Sequence, residues 1–536
     1  MNRGAMEKIF TQGFMWTKKH CSRAILIVLS LSLLGAGCSS SSDSGSEVTS
    51  DGSTLSAEAD SISATITFAY QADISSFDPD NGFEVAGLGA INSVYEGLVE
   101  YVPNSTELVG LLAESWTISD DGLIYTFKIR DGVNFHDGTP MTAQEAKISL
   151  ERRWKDTSLA LNYFLYNVVA IAAPDAKTLV INLKDPQISF LDNLASPWGP
   201  KIISPAALTA NSGSDNAKTF LNEQAVGTGP FALTSFSRGD RYILDRFDDY
   251  WGETAKAKQI IIKIVPEISQ QVLQLSSGEI DAVLHGYPVE QLNAIAEGLE
   301  VSSYDDLGLE LAYINPNGVL NTKELRQNVI AAINPETWVE ETFGQYATLP
   351  TSLFPVSMIP VSSAMTWPVK NASVKVPAIQ IWYATEEAST QKRVADVMTS
   401  KLAADGIDAT SRAVPASQIQ SIPQNPKGAP DIVIAQNYPD SAHPDSQAYL
   451  FYSSGGPLNL FKYLNPAVDE LIFAASAISN REERDKAYLD ISAKIFEDGT
   501  FVPLANIKAL IVHRSLKNLN PRPAVPWTVD FGTVQK

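Results

Sequence analysis

Side chains able to do chemistry are few and scattered in this sequence. The five histidines are His20, His136, His285, His443 and His513, and the two cysteines are Cys21 and Cys38. No two histidines stand at metal-ligand spacing, and no Cys-x-x-Cys occurs. The zinc-hydrolase HExxH, the nucleophile elbow GxSxG and the phosphate-cradling Walker loop are all missing. Phe135-His136-Asp137-Gly138 sets an imidazole beside a carboxylate, a pairing that invites a catalytic reading. A lone histidine nevertheless defaults to a structural role. Gly227-Thr228-Gly229-Pro230 fails as a dinucleotide fingerprint, because Pro230 would block the helix start. Carboxylates that meet only in space leave a hydrolase open as an alternative. The expectation is no enzyme, no cofactor and no metal.

Cys38 is the exception with a defined chemistry. Lys18, Lys19, His20 and Arg23 precede an apolar run, Ala24 to Leu34, followed by Gly35-Ala36-Gly37-Cys38. A positive flank, a short apolar core and small residues make an export signal over 1–37, too short for a comfortable membrane span. A cysteine after Ala-Gly resembles the lipobox of bacterial lipoproteins, which implies lipidation of Cys38. Residues 38–64 are rich in Ser, Gly, Asp and Glu and read as a flexible tether. The expected location is the outer face of the cell membrane or the periplasm, held by lipid alone.

Composition narrows the partners. The net charge is -21, and removing five basic residues and Glu7 of the first 37 from totals of 40 and 61 leaves 35 against 60. Such a surface repels nucleic acid. A chain of 536 residues supports two or more domains with a large core. Cleavage before Cys38 would leave one cysteine and no internal disulfide, so packing must supply the stability.

The positioning elements alternate between strand and helix patterns, which places the fold in the α/β class. Ile66, Phe68 and Tyr70 alternate, as do Leu123, Tyr125, Phe127 and Ile129 after the turn pair Asp121-Gly122; Leu179 to Leu183 is a third strand. Val394, Val397, Met398 and Leu402 have helical spacing, and Gly406 can end that helix. Asn465-Pro466 and Asn480 with Glu483 read as helix starts. Pro350 to Lys370 reads as a long ordered loop.

One run is specific: Ala113-Glu114-Ser115-Trp116, Ser119-Asp120-Asp121-Gly122, then Tyr125 to Asp137, Gly138-Thr139-Pro140 and Thr142-Ala143. With Tyr95-Glu96-Gly97-Leu98-Val99, Gly227-Thr228-Gly229-Pro230-Phe231, Asp249-Tyr250-Trp251-Gly252 and Ser277-Gly278-Glu279-Ile280-Asp281, it resembles the family 5 extracellular solute-binding proteins. The resemblance implies a two-lobed periplasmic-binding-protein fold. Lobe I would take 65–286, with an extra subdomain over about 102–225, and 506–536; lobe II would take 287–505. It also implies a monomer that captures a short peptide or similar small polar solute between its lobes and delivers it to the permease subunits of an ABC importer. A nickel chelate, opine or sugar-phosphate is the alternative cargo within the same fold.

In peptide binders of this family an Asp in a second-lobe loop pairs with the ligand's ammonium. The loop here is Gln436 to Asp445, and Asn437 occupies that position. Asn437 brings no charge, so either Asp440 takes over or the ligand lacks a free amine. The resemblance therefore selects Asn437, Tyr438, Asp440, Asn315, Trp382 and Tyr313 as ligand-contact candidates. His285, Tyr287, Phe451 and Tyr452 fall near the expected cleft edges.

Overall fold

A computed structural model describes residues 64–536 except 83, 361–364, 386–387 and 427. The expected export signal, Cys38 and nearly all of the tether lie outside the described residues.

Thr65–Tyr70 sends Ile66, Phe68 and Tyr70 into the core, as its alternation predicts. It pairs in parallel with Gln259–Ile264 and Ala282–Val283. Around it grows a seven-stranded sheet in the order Glu300–Tyr304, Ala509–His513, Ala282–Val283, Thr65–Tyr70, Gln259–Ile264, Arg241–Arg246, Phe231–Ser237. A second sheet has six strands: Ala347–Thr348, Phe501–Ile507, Leu309–Ile314, Ile432–Asn437, Ile379–Ala384, Ala409–Val414. Helices Lys323–Ile333 and Ala388–Ala404 cover one face of the second sheet. Pro466–Ser476 and Arg481–Asp498 pack against the other. Both start where the sequence places them: Asn465 accepts from the Val468 N–H and Asn480 from the Glu483 N–H.

The chain changes sheet twice, at 305–308 and at Lys508. The two passages are neighbours. Glu300–Tyr304 runs antiparallel to Ala509–His513, and Leu309–Ile314 runs antiparallel to Phe501–Ile507. The same two passages of chain thus pair with each other in both sheets, the construction expected of a hinge. The first switch falls later than residue 286, because Glu300–Tyr304 finds its hydrogen-bond partner in the C-terminal strand of the first sheet. The second falls at Lys508, after Phe501–Ile507 has completed its pairing with Leu309–Ile314.

Ala113–Ile118, Ile124–Ile129, Thr178–Leu183 and Val168–Ala172 form a separate four-stranded sheet. Its helix Ala143–Lys155 begins in a full capping box between Thr142 and Glu145. That helix carries Arg152 and Arg153 into a buried charge cluster. Arg152 reaches Asp78 at 2.7 Å and Asp80 at 2.5 Å, while Arg153 reaches Asp80 at 2.5 Å and the Trp198 carbonyl at 2.9 Å. All four side chains are buried. The cluster ties the loop after Thr65–Tyr70 to the subdomain.

A second knot gathers the sequence signatures. Buried Glu96 accepts hydrogen bonds from Tyr250 Oη at 2.7 Å, Trp251 Nε1 at 2.9 Å and Thr228 Oγ1 at 2.7 Å. Gly227 and Gly229 allow the backbone to approach, since a Cβ there would lie 2.1 Å from the Val94 oxygen or 2.3 Å from the Ser93 oxygen. His136 closes the knot, with Nε2 donating to the Gly229 carbonyl at 2.9 Å. Its imidazole thereby holds the Gly227–Gly229 backbone against the strand end.

Two predictions follow from these knots. Asp80→Asn strands buried guanidinium charge, and urea denaturation is expected to show a loss of about 3–5 kcal/mol. Burial pushes the Glu96 carboxyl up to about 7, opposed by the hydrogen bonds from Trp251, Thr228 and Tyr250. The folded chain then binds a proton that the unfolded chain releases, so stability is highest below the ordinary value of 4.5 and falls as pH rises through 7. Glu96→Gln is expected to flatten the stability profile between pH 5 and pH 8, by at most about 3 kcal/mol.

Candidate functional site

Between the two sheets lies a cavity of about 690 Å³. Its wall comes from the end of Thr65–Tyr70 and the loop beyond it, from 284–287, from both passages of the hinge, from the strand carrying Gln436 and from the C-terminal tail. The Asp78/Asp80 cluster fixes the loop that supplies Glu84, Val85 and Ala86 to this wall.

The first passage supplies the buried charge. Leu309–Ile314 is buried along its whole length, and Glu310 is its one charged residue. Glu310 faces Gln436 across the ladder. Asp306 lies just before this strand, and its Oδ1 accepts the Gly308 N–H at 2.7 Å. Burial pushes its carboxyl up to about 7, against the pull of the Gly308 N–H and the nearby His285. Gly308 leaves the room these groups use: a Cβ there would lie 2.6 Å from Gln436 Nε2 and 2.9 Å from Asp306 Oδ1. The far wall is aromatic. His285 stacks on Trp527 with ring centroids 3.8 Å apart and planes inclined by 19°. Trp527 holds a left-handed backbone, φ 56°, which is rare for a bulky residue and cost-bearing.

None of the six residues selected from sequence is among those lining this cavity. Asn437 and Tyr313 do meet: the Tyr313 hydroxyl donates to Asn437 Oδ1 on the opposite face of the second sheet. The offset follows from strand pleat, since Gln436 faces the cavity and its successor must point away. Tyr438 donates to the Pro523 carbonyl, and Asp440 accepts from Tyr163 Oη at 2.7 Å. Ser196 Oγ donates to the Asp440 carbonyl at 2.5 Å, and the Ala442 N–H donates to Tyr101 Oη at 3.0 Å. Tyr438, Asp440 and Ala442 therefore bridge the lobes. Asn315 and Trp382 stay within the second lobe. Asn315 Nδ2 donates to the Pro430 carbonyl, and Trp382 Nε1 donates to Gln380 while the Arg412 guanidinium lies 5.0 Å from its ring.

The bridging loop has open valences. Asn437 Nδ2, Ser441 Oγ, His443 Nε2 and Gln447 Oε1 are buried without a hydrogen-bond partner. His443 stays neutral, its imidazole pushed down to about 3 by burial and by Arg484 and Arg481. Asp306, Glu310, Gln436, Lys508 and Trp527 were not selected from sequence. The available signal was a glutamate inside an otherwise apolar strand, preceded by Asp305-Asp306-Leu307-Gly308.

Two sheets, one paired-strand hinge and a cavity between them define a bilobal binding protein. The chain belongs to family 5 of the bacterial extracellular solute-binding proteins: the description "Bacterial extracellular solute-binding proteins, family 5 Middle" matches residues 107–459. It is 28% identical over 462 residues to the probable D,D-dipeptide-binding periplasmic protein DdpA of Escherichia coli K12, covering 82% of this chain and 88% of that one. It is 26% identical over 476 residues to the glutathione-binding protein GsiB of the same organism, covering 85% and 91%. The periplasmic binding protein DppA of Helicobacter pylori, solved with the peptide STSA, has the same fold, with a TM-score of 0.75, 22% identity and coverage of 90% and 99%.

The bridge at Asp440 makes a measurable prediction. A hydrogen bond to a charged group contributes about 1.5–3 kcal/mol. Tyr163→Phe is therefore expected to shift the unliganded protein tenfold or more toward an open arrangement, seen as a larger radius of gyration by small-angle X-ray scattering.

Proposed function

We propose that this chain is the substrate-binding component of an ABC importer that closes on a short peptide, or a solute of similar size and polarity, and delivers it unaltered to the membrane permease. One observation carries the reading: a solute-binding family member has a cavity of about 690 Å³ between lobes joined by paired strands. That volume is in the range of small-molecule sites, and a short peptide suits it. Binding shifts the pair of lobes toward the closed arrangement by differential contact. Asn437, Tyr438 and Asp440 form the second lobe's lip, and their loop's unpaired polar atoms offer hydrogen bonds to a guest when the lip lifts. Tyr313 orients Asn437, while Asn315 and Trp382 stiffen the lobe behind it.

In this reading residues 1–37 direct export and Cys38 carries the lipid. Residues 38–64 span the distance to the folded body, which works as a monomer at the outer face of the membrane. The protein performs no reaction. The peptide cargo is supported by the relatives named for dipeptide and glutathione binding.

Thermal-shift screening of dipeptides to pentapeptides, opines and nickel chelates tests the reading, followed by mass spectrometry of the recovered compound. A peptide at 100 times its Kd is expected to stabilise the chain by about 2.7 kcal/mol and to be recovered intact. Recovery of cleaved peptide would establish a hydrolase instead. Stabilisation by an opine or nickel chelate alone would transfer the reading to the alternative cargo.

A further inference from the structure

Away from the cavity the lobes meet along a seam where carboxyl groups find phenols and no cation. Asp440, in the second lobe's loop, is partly buried, and its Oδ2 accepts from Tyr163 Oη of the first lobe at 2.7 Å. Two residues on, the Ala442 N–H donates to Tyr101 Oη at 3.0 Å, and that hydroxyl donates to Asp192 Oδ1 at 3.0 Å. Asp192 belongs to the first lobe's helix Phe190–Ala195. Neither Asp440 nor Asp192 forms an ion pair among the described residues.

The nearby cations are committed elsewhere. Behind Tyr163, Arg153 is held by Asp80 and by the Pro79 and Trp198 carbonyls. Lys201, beyond Ser196, donates to the Ser196 carbonyl at 3.5 Å. On the second lobe, Arg481 meets Asp485 at 3.5 Å, and Arg484 donates to the Ile478 and Ser479 carbonyls at 3.4 Å. His443 and Asp445 follow Asp440 in the same loop, with Tyr166 and Tyr449 near Asp445. Asp445 accepts from Tyr488 Oη at 3.2 Å, and His443 Nδ1 accepts the Asp445 N–H at 3.2 Å. Both contacts lie within the second lobe, so parting of the lobes leaves them in place.

A carboxylate shut away from water without a counter-charge holds its proton more tightly. Burial pushes Asp440 up to about 6 against the pull of Tyr163, and Asp192 up to about 6 against Tyr101, Arg484 and Arg481. When the lobes part, Asp440 leaves its donor on the other lobe and faces water, where its ordinary value is 3.8. The closed form therefore binds protons that the open form releases. Closure gains in full below 3.8, and the gain is lost as pH rises through 6.

Resting on the reading of the two lobes as a clamp, we propose that closure is coupled to proton uptake at this seam, with Asp440 as the principal site and Asp192 as the second. Acid latches the clamp, and neutral pH loosens it.

The test is the closed-to-open ratio of the full chain without solute, read by small-angle X-ray scattering between pH 7 and pH 5. The wild type is expected to gain closed form about tenfold per carboxylate over that range. Asp440→Asn carries an amide that cannot ionise. It is expected to be more closed than the wild type at pH 7 and to lose about tenfold of the acid response. A wild-type ratio that ignores pH overturns the latch. So does an Asp440→Asn ratio displaced equally at every pH, which marks a structural contact alone. Either result leaves solute capture standing, because no solute is present. Should Asp440→Asn fold poorly on thermal melting, Asp192→Asn is read by the same two criteria.

Discussion

Asp78 and Asp80 face Arg152 and Arg153 with almost no water around any of the four. Taking charges out of water costs several kcal/mol per ion, so such a group survives only when every member is paired in good geometry. Here the geometry is met from two directions. The carboxylates come from the loop after the first strand, and the guanidinium groups come from a helix of the subdomain. That loop cannot move without exposing an unpaired charge. It then runs on to form one wall of the cavity. A rigid lobe is what a clamp needs, because a soft wall would let the guest be held in many poses, each weakly.

The Glu96 knot does the same for the other side of that lobe. Signatures far apart in the chain converge on one carboxylate, and the two glycines bring backbone within reach of Val94 and Ser93. Such motifs look like chemistry when read along the chain. In space they are fasteners: Glu96 meets three donors, His136 meets the Gly229 carbonyl, and neither lines the cavity. Open valences gather in loop 437–447, at Asn437 Nδ2, Ser441 Oγ, His443 Nε2 and Gln447 Oε1. A cluster of unmet polar atoms marks a surface where a guest or water completes the set.

Motion and recognition share one element. The paired passages at 305–308 and Lys508 join the lobes, and the same stretch carries Asp306, Glu310 and Lys508 onto the cavity wall. A guest held there touches the hinge itself as well as the two lobes. Closure is stabilised further out by Tyr163, Ser196, Tyr101 and Pro523 meeting the 438–442 loop.

The sequence by itself determined what local physics controls. Alternating apolar residues marked Thr65–Tyr70 and Ile124–Ile129; Asn465 and Asn480 marked helix starts that were found where expected. The long specific run from Ala113 to Ala143 was enough to identify the family and so the bilobal plan. The cavity's lining was decided by tertiary structure alone. A one-residue step along a strand reverses the face a side chain presents, which set Gln436 on the cavity and Asn437 behind it. The sheet switch fell after Tyr304 because a strand joins whichever ladder offers hydrogen bonds, and the partner was a C-terminal strand that no local pattern could name. Asp306 and Trp527 became neighbours of one cavity only when that pairing closed, because contact between distant residues is a property of the folded chain and not of any segment of it.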